Sequence, residues 1–162
     1  HVRSRRQRQM FIRDSFKGYW KMPEKTAEDF TAQGFFKTGD KAKIDADGYI
    51  SIVGRSKDMI ITGGLNVYPK EIELIIDDIQ GVKESAVIGV YHKDFGEAVI
   101  AIVICSDTSA LKEIDIIEYC KQHLAGYKIP KKVIFANELP RNTMSKVQKN
   151  ILRENHKNSF NL

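Results

Sequence analysis

The chain has 162 residues, 42% hydrophobic and 29% charged, the profile of a globular protein with room for one mid-sized domain or one small domain plus part of another. No apolar run approaches the roughly 20 residues that span a bilayer, so no membrane partner is expected. The formal charge of +5 is concentrated at one end: HVRSRRQRQ (His1 to Gln9) holds Arg3, Arg5, Arg6, Arg8 and no acid, which leaves +1 for the rest and argues against a specific nucleic-acid face.

That tail reads as a solvated or non-native end over residues 1–9. The other reading is a basic arm, whose salt-dependent nucleic-acid binding would vanish with the tail. No apolar stretch follows the arginines, so no signal peptide is expected, and a start at His1 rather than Met suggests a piece of a longer chain. From Met10 to Val53 the pattern is β-like and turn-rich. PEKTAEDF (Pro23 to Phe30) is a short helix with proline in its first turn. KIDADGYISIVG is a hairpin, with a DADG turn between Ile44 and the strand Tyr49 to Val53. The polar GRSKD (Gly54 to Asp58) is a linker between two units, 1–54 and 55–162.

Strands and helices alternate beyond it. YPKEIELIIDDI (Tyr68 to Ile79) spaces Ile72, Ile75, Ile76 and Ile79 at i, i+3, i+4, i+7, one apolar helical face, and Gly81 stops it. ESAVIGV and AVIAIVIC are β-branched runs suited to buried strands, joined by the loop Tyr91 to Glu97. Lys112 to Leu124 is a second amphipathic helix, KVIFA (Lys132 to Ala136) a third strand, and Lys146 to Asn155 a short closing helix. The expected fold class is α+β: a small domain with a sheet of about three strands flanked by helices, preceded by a β-rich unit. Cys105 and Cys120 lack metal-ligand spacing and read as reduced residues.

Three stretches offer chemistry. FKTGD (Phe36 to Asp40) puts a carboxylate on a tight turn, where it can accept hydrogen bonds from vicinal hydroxyls or simply close the turn. In ITGGLNVYPKEIE, Gly63 and Gly64 permit positive φ: plain turn glycines, or the lining of a narrow channel. In PRNTMSKVQKN, Lys146 is either a solvated lysine at a helix start or a compact charge that a loop carries to a phosphate. A phosphate-binding G-x-x-x-x-G-K-[ST], a metal-ligand cluster and a Ser/His/Asp triad are all missing from the sequence.

In this order and spacing, FKGYWKMPEKT, GFFKTGD, DGYISIVGRSKDMIITGGLNVYPKEIE, ESAVIGV, LAGYKIPKKV and LPRNTMSKVQKN resemble the C-terminal third of the AMP-forming acyl-CoA synthetases, the adenylate-forming superfamily, over about residues 16 to 156. FKGYWKMPEKT and LPRNTMSKVQKNILRE are most similar to malonyl-CoA synthetases. The resemblance implies a small lid domain after the end of a large AMP-binding domain, and a carboxylic acid, ATP with Mg2+, and CoA as reaction partners. The sites for ATP and Mg2+ would lie largely in an N-terminal domain that this sequence does not contain. It implies that Lys146 is the adenylation lysine, that Asp40 with Arg55 holds the ribose of ATP, and that Lys57 is the hinge. Gly63 and Gly64 would flank the pantetheine tunnel, and Phe95, Tyr127 and Lys131 would hold the CoA nucleotide. Where the family has glycine before its lysine, this chain has Ser145. The resemblance further implies an intracellular setting, in cytoplasm or an organellar matrix, and an isolated chain without synthetase activity. The alternatives are a ligase for another short or medium-chain acid and a non-catalytic CoA-binding or interaction module.

Overall fold

The computed structural model describes residues 8–12, 16–106 and 111–160. Arg3, Arg5 and Arg6 of the basic tail lie outside the described residues, whereas Arg8 and Gln9 already belong to a strand. Contacts divide the chain into two compact units, 1–57 and 58–162, with the division three residues beyond the 54/55 boundary read from the sequence.

The first unit is an antiparallel sheet in the order β1 (Arg8–Ile12), β2 (Phe36–Ile44), β3 (Ile50–Arg55), with one helix, α1 (Pro23–Asp29). The DADG turn closes β2 onto β3 as its sequence suggests: the Asp45 carboxylate accepts the N–H groups of Asp47 (3.0 Å) and Tyr49 (2.8 Å). Phe16 meets Tyr19, Phe30 and Phe36 edge-on at centroid distances of 4.9 to 5.3 Å, which ties the segment before α1 to the sheet.

The second unit is α+β. A short hairpin, β4 (Ile60–Thr62) and β5 (Leu65–Val67), leads into α2 (Pro69–Asp77). A long antiparallel pair follows, β6 (Val82–His92) and β7 (Gly96–Cys105), then α3 (Glu113–His123), β8 (Lys132–Phe135) and α4 (Lys149–His156). β7 is the centre of the sheet, antiparallel to β6 and to β4, and parallel to β8. The three expected strands are therefore present, and the Gly-Gly segment adds two short ones. The loop expected over Tyr91 to Glu97 contracts to a turn at 93–95, because β6 and β7 pair as far as His92 and Gly96.

AVIAIVIC is continuously apolar because both faces of β7 are covered. Val99, Ala101 and Val103 pack with Val87 under Ile72 and Ile76 of α2 and Ile116 and Cys120 of α3. Ile100, Ile102 and Ile104 pack with Ala86, Ile88 and Val90 against Leu139 and Leu152 of α4. The two-residue side-chain period of a strand divides one apolar run between two cores. Burial pushes both thiols up, Cys120 to about 11, so neither is a thiolate nucleophile at neutral pH.

Candidate active-site elements

The loop that carries Lys146 is a hairpin, and this corrects the expected helix over Lys146 to Asn155. Arg141 and Val147 form an antiparallel bridge, the N–H of Gln148 donates to the carbonyl of Pro140 (2.8 Å), and that of Asn142 to the carbonyl of Lys146 (3.0 Å). The turn closes with Ser145 N–H to Asn142 C=O (2.9 Å), while the Asn142 side-chain oxygen accepts the N–H groups of Met144 (3.0 Å) and Lys146 (2.9 Å). Ser145 has φ +60°, the left-handed region that a three-residue hairpin loop requires at its last position, and one that no α-helix contains. The helix consequently starts three residues later than expected, at Lys149. A Cβ in this region costs on the order of 1 kcal/mol, which a glycine would not incur. Lys146 itself is exposed, and its ammonium has no hydrogen bond or ion pair among the described residues.

Two side chains outside the sequence reading secure this loop. Arg141 donates from Nη1 to the Ser145 carbonyl (2.7 Å) and from Nη2 to the Glu84 carboxylate of β6. Lys149, at the first turn of α4, pairs with Glu73 of α2 at 2.5 Å. Glu73 is only 6% exposed and also accepts the outward N–H of Val87 (2.9 Å) on the edge strand β6. One carboxylate thus caps a sheet edge and anchors the helix that follows the loop.

Gly63 and Gly64 form the two-residue turn of the β4–β5 hairpin, with φ +55° and +78°, the pair of positive φ angles that a type I′ turn demands. The structure joins this turn to Phe95: Gly63 N–H donates to the Phe95 carbonyl (2.8 Å), and the Glu97 carboxylate accepts the N–H of Ile61 (2.6 Å). Lys131 Nζ lies 5.2 Å from the Phe95 ring centroid, and the His92 ring lies 4.8 Å from it. Gly63, Gly64, Phe95 and Lys131 therefore form one group, exposed and cationic at its rim. The Tyr127 ring lies under Lys128 Nζ (5.7 Å), which pairs with Glu71 at the start of α2 (2.6 Å).

In the first unit Asp40 and Arg55 face each other across β2 and β3, Arg55 Nε 3.2 Å from Asp40 Oδ1. The carboxylate is mostly covered at 17% exposure, whereas the guanidinium is 63% exposed. Lys57 is the last residue of the first unit, exposed, in a single 3-10 turn (Ser56–Asp58). The next residue is held firmly: Arg153 of α4 donates to Asp58 Oδ1 at 2.8 Å. Among the described residues no group of three His, Cys, Asp or Glu side chains is arranged to hold a metal ion.

Residues 71–146 match the AMP-binding enzyme C-terminal domain family, a match that ends on Lys146. This chain carries the C-terminal domain of the AMP-binding enzymes. Curated relatives are acyl-CoA ligases. The long-chain-fatty-acid–CoA ligase FadD13 of Mycobacterium tuberculosis is 50% identical over 140 residues, 86% of this chain and 27% of the relative. The putative acyl–CoA ligase YdaB of Bacillus subtilis is 46% identical over 85% of this chain and 27% of its own length. ATP-bound MatB from Rhodopseudomonas palustris superposes with a TM-score of 0.83 at 56% identity, over 90% of this chain and 29% of MatB. The chain thus spans a little over a quarter of the acyl-CoA ligases it matches.

Proposed function

We propose that this chain is the C-terminal portion of an acid–CoA ligase that activates a carboxylate, malonate in the first instance, with ATP and passes the acyl group to CoA. In the first step a carboxylate oxygen attacks the α-phosphorus of ATP and the bond to pyrophosphate breaks. In the second, the CoA sulfur attacks the acyl carbonyl and the bond to AMP breaks. The observation that carries the reading is an unpaired, exposed ammonium on a stiff loop within the matched domain. Lys146 would bridge the acid and the α-phosphate, stabilising the charge that grows in the transition state. Asp40, already fixed by Arg55, would accept the ribose hydroxyls.

The Gly63, Gly64, Phe95 and Lys131 group fits the thioester step: glycine backbone for a thin pantetheine arm, an aromatic face for a base and an ammonium for a phosphate. Tyr127 would extend the nucleotide contact along the Lys128 side. Glu84, which anchors the Lys146 loop, and His92, which flanks Phe95, lie near opposite ends of β6, about 26 Å of extended strand apart. A single reacting carbon cannot lie against both ends at once. Rotation of the second unit about Lys57 between the steps answers this geometry, with the torsion change confined to Lys57 because Asp58 is tied to α4.

Malonate is favoured by the likeness of FKGYWKMPEKT and LPRNTMSKVQKNILRE to malonyl-CoA synthetases. The test is a pyrophosphate-release assay of the complete ligase on a panel of acids. Malonate should give the highest kcat/KM, and a long-chain acid in first place would overturn the assignment. The 162 residues alone should release no pyrophosphate with any acid on that panel, since the sites for ATP and Mg2+ are proposed to lie largely outside them.

Ser145→Gly should raise pyrophosphate release in the complete ligase several-fold, about 1 kcal/mol of relieved strain, and leave conversion of supplied acyl-AMP unchanged. Glycine also frees the unfolded chain, so the melting temperature should move little. An unchanged rate of pyrophosphate release would show that the strain at φ +60° does not reach the reaction.

A further inference from the structure

We infer that Arg141 is a positioning residue for Lys146, acting through the carbonyl of Ser145 and braced by Glu84. The inference rests on the proposed role of Lys146. Three observations carry it. Ser145 occupies a left-handed conformation that its side chain disfavours. The peptide that joins Ser145 to Lys146 is gripped at both of its polar atoms, its carbonyl by Arg141 Nη1 (2.7 Å) and its N–H by the Asn142 side chain (2.9 Å). Arg141 is itself fixed, because its second nitrogen engages Glu84, a residue 57 positions away on a strand of the central sheet.

Without Arg141 the carbonyl of that peptide loses its hydrogen bond, and the peptide keeps the Asn142 side chain on its N–H and the backbone bonds of Asn142 to Ser145 and Lys146 on either side. Rotation would relieve the serine and swing the Lys146 side chain off its bearing. The guanidinium is therefore a strut between the rigid β6–β7 pair and the backbone that aims the lysine. A fork of two donors on one planar group is suited to this, and the point charge of a lysine is less so. The strut matters most when residue 145 carries a Cβ. A glycine there would adopt the left-handed conformation without the strain that a Cβ adds.

The experiment uses the complete ligase and measures two half-reactions, pyrophosphate release and thioester formation from supplied acyl-AMP, with thermal unfolding of each variant. Arg141→Ala should lower kcat for pyrophosphate release by roughly 10- to 100-fold, the scale of a misplaced reacting group, with little effect on thioester formation. Arg141→Lys should recover part of the loss, and Glu84→Gln should show a smaller loss of the same selectivity. In a Ser145→Gly background the loss from Arg141→Ala should shrink, a coupling that a merely structural role would not produce. Equal losses in both half-reactions, or the same loss with serine and glycine at 145, would overturn the inference. If Arg141→Ala does not fold, the lysine and Glu84→Gln variants decide by the same criteria. Lys146→Ala is run alongside: wild-type pyrophosphate release by that variant would sink the role of the lysine and the strut with it. Loss by Lys146→Ala with none by Arg141→Ala would sink the strut alone.

Discussion

Lys146→Ala in the complete ligase should slow acyl-adenylate formation about 100- to 1000-fold, the cost of removing one preorganised charge contact from a transition state. Thioester formation from supplied acyl-AMP should stay within about twofold, because the group proposed for that step sits at the other end of the β6–β7 pair. Stability should be nearly untouched: the ammonium is exposed and unpaired among the described residues, and such surface changes fall within about 0.5 kcal/mol. Single-turnover measurement of each half-reaction separates these outcomes. A variant equally slow in both would mean that Lys146 supports the fold of the domain and does not meet the substrate.

The largest loss of stability is expected at a different lysine, three residues on. Lys149→Ala would strand the Glu73 carboxylate in a nearly closed environment, with the Val87 N–H as its remaining partner. Breaking a buried pair from one side costs about 3–5 kcal/mol. Glu73→Ala should cost at least as much, since it leaves both the Val87 amide and the Lys149 ammonium without an acceptor. Replacing both residues, Glu73→Met with Lys149→Met, should recover much of either loss, because a buried ion pair is expensive to desolvate and an apolar pair is not. Urea unfolding of the second unit, followed by signals from that unit, tests the three variants. Single-variant losses under 1 kcal/mol would show that water reaches the pair. Adenylation should fall as well, because this ion pair holds the first turn of the helix that follows the Lys146 hairpin.

Much of the fold was legible from periodicity. The isoleucines of Tyr68 to Ile79, the run AVIAIVIC and the DADG turn each carry their own local signal, and each forms the element it implies. The Gly63–Gly64 pair was legible as a turn, although not as a pair of additional strands, since two three-residue strands fall below the length at which a pattern shows. The start of α4 was misplaced for a definite reason. Lys146 to Asn155 has helical spacing, but the hairpin bonds of Asn142 and the left-handed Ser145 override propensity at its first three residues. No sequence signal linked Arg141 to Glu84, Lys149 to Glu73 or Arg153 to Asp58, pairs separated by 57, 76 and 95 positions.

By itself the sequence determined most of the local elements and the blocks in which the candidate residues stand, those of Asp40, Lys57, the glycine pair and Lys146. Those features depend on neighbours a few residues away, where spacing and turn chemistry decide. Only the tertiary structure decided how the blocks combine. It joined Gly63 to Phe95 and Lys131, placed the Lys146 hairpin at the far end of the same strand pair, and showed the φ that Ser145 must bear. Such facts arise where distant segments meet across a sheet, and the energies that settle them are those of buried charges and shared backbone hydrogen bonds.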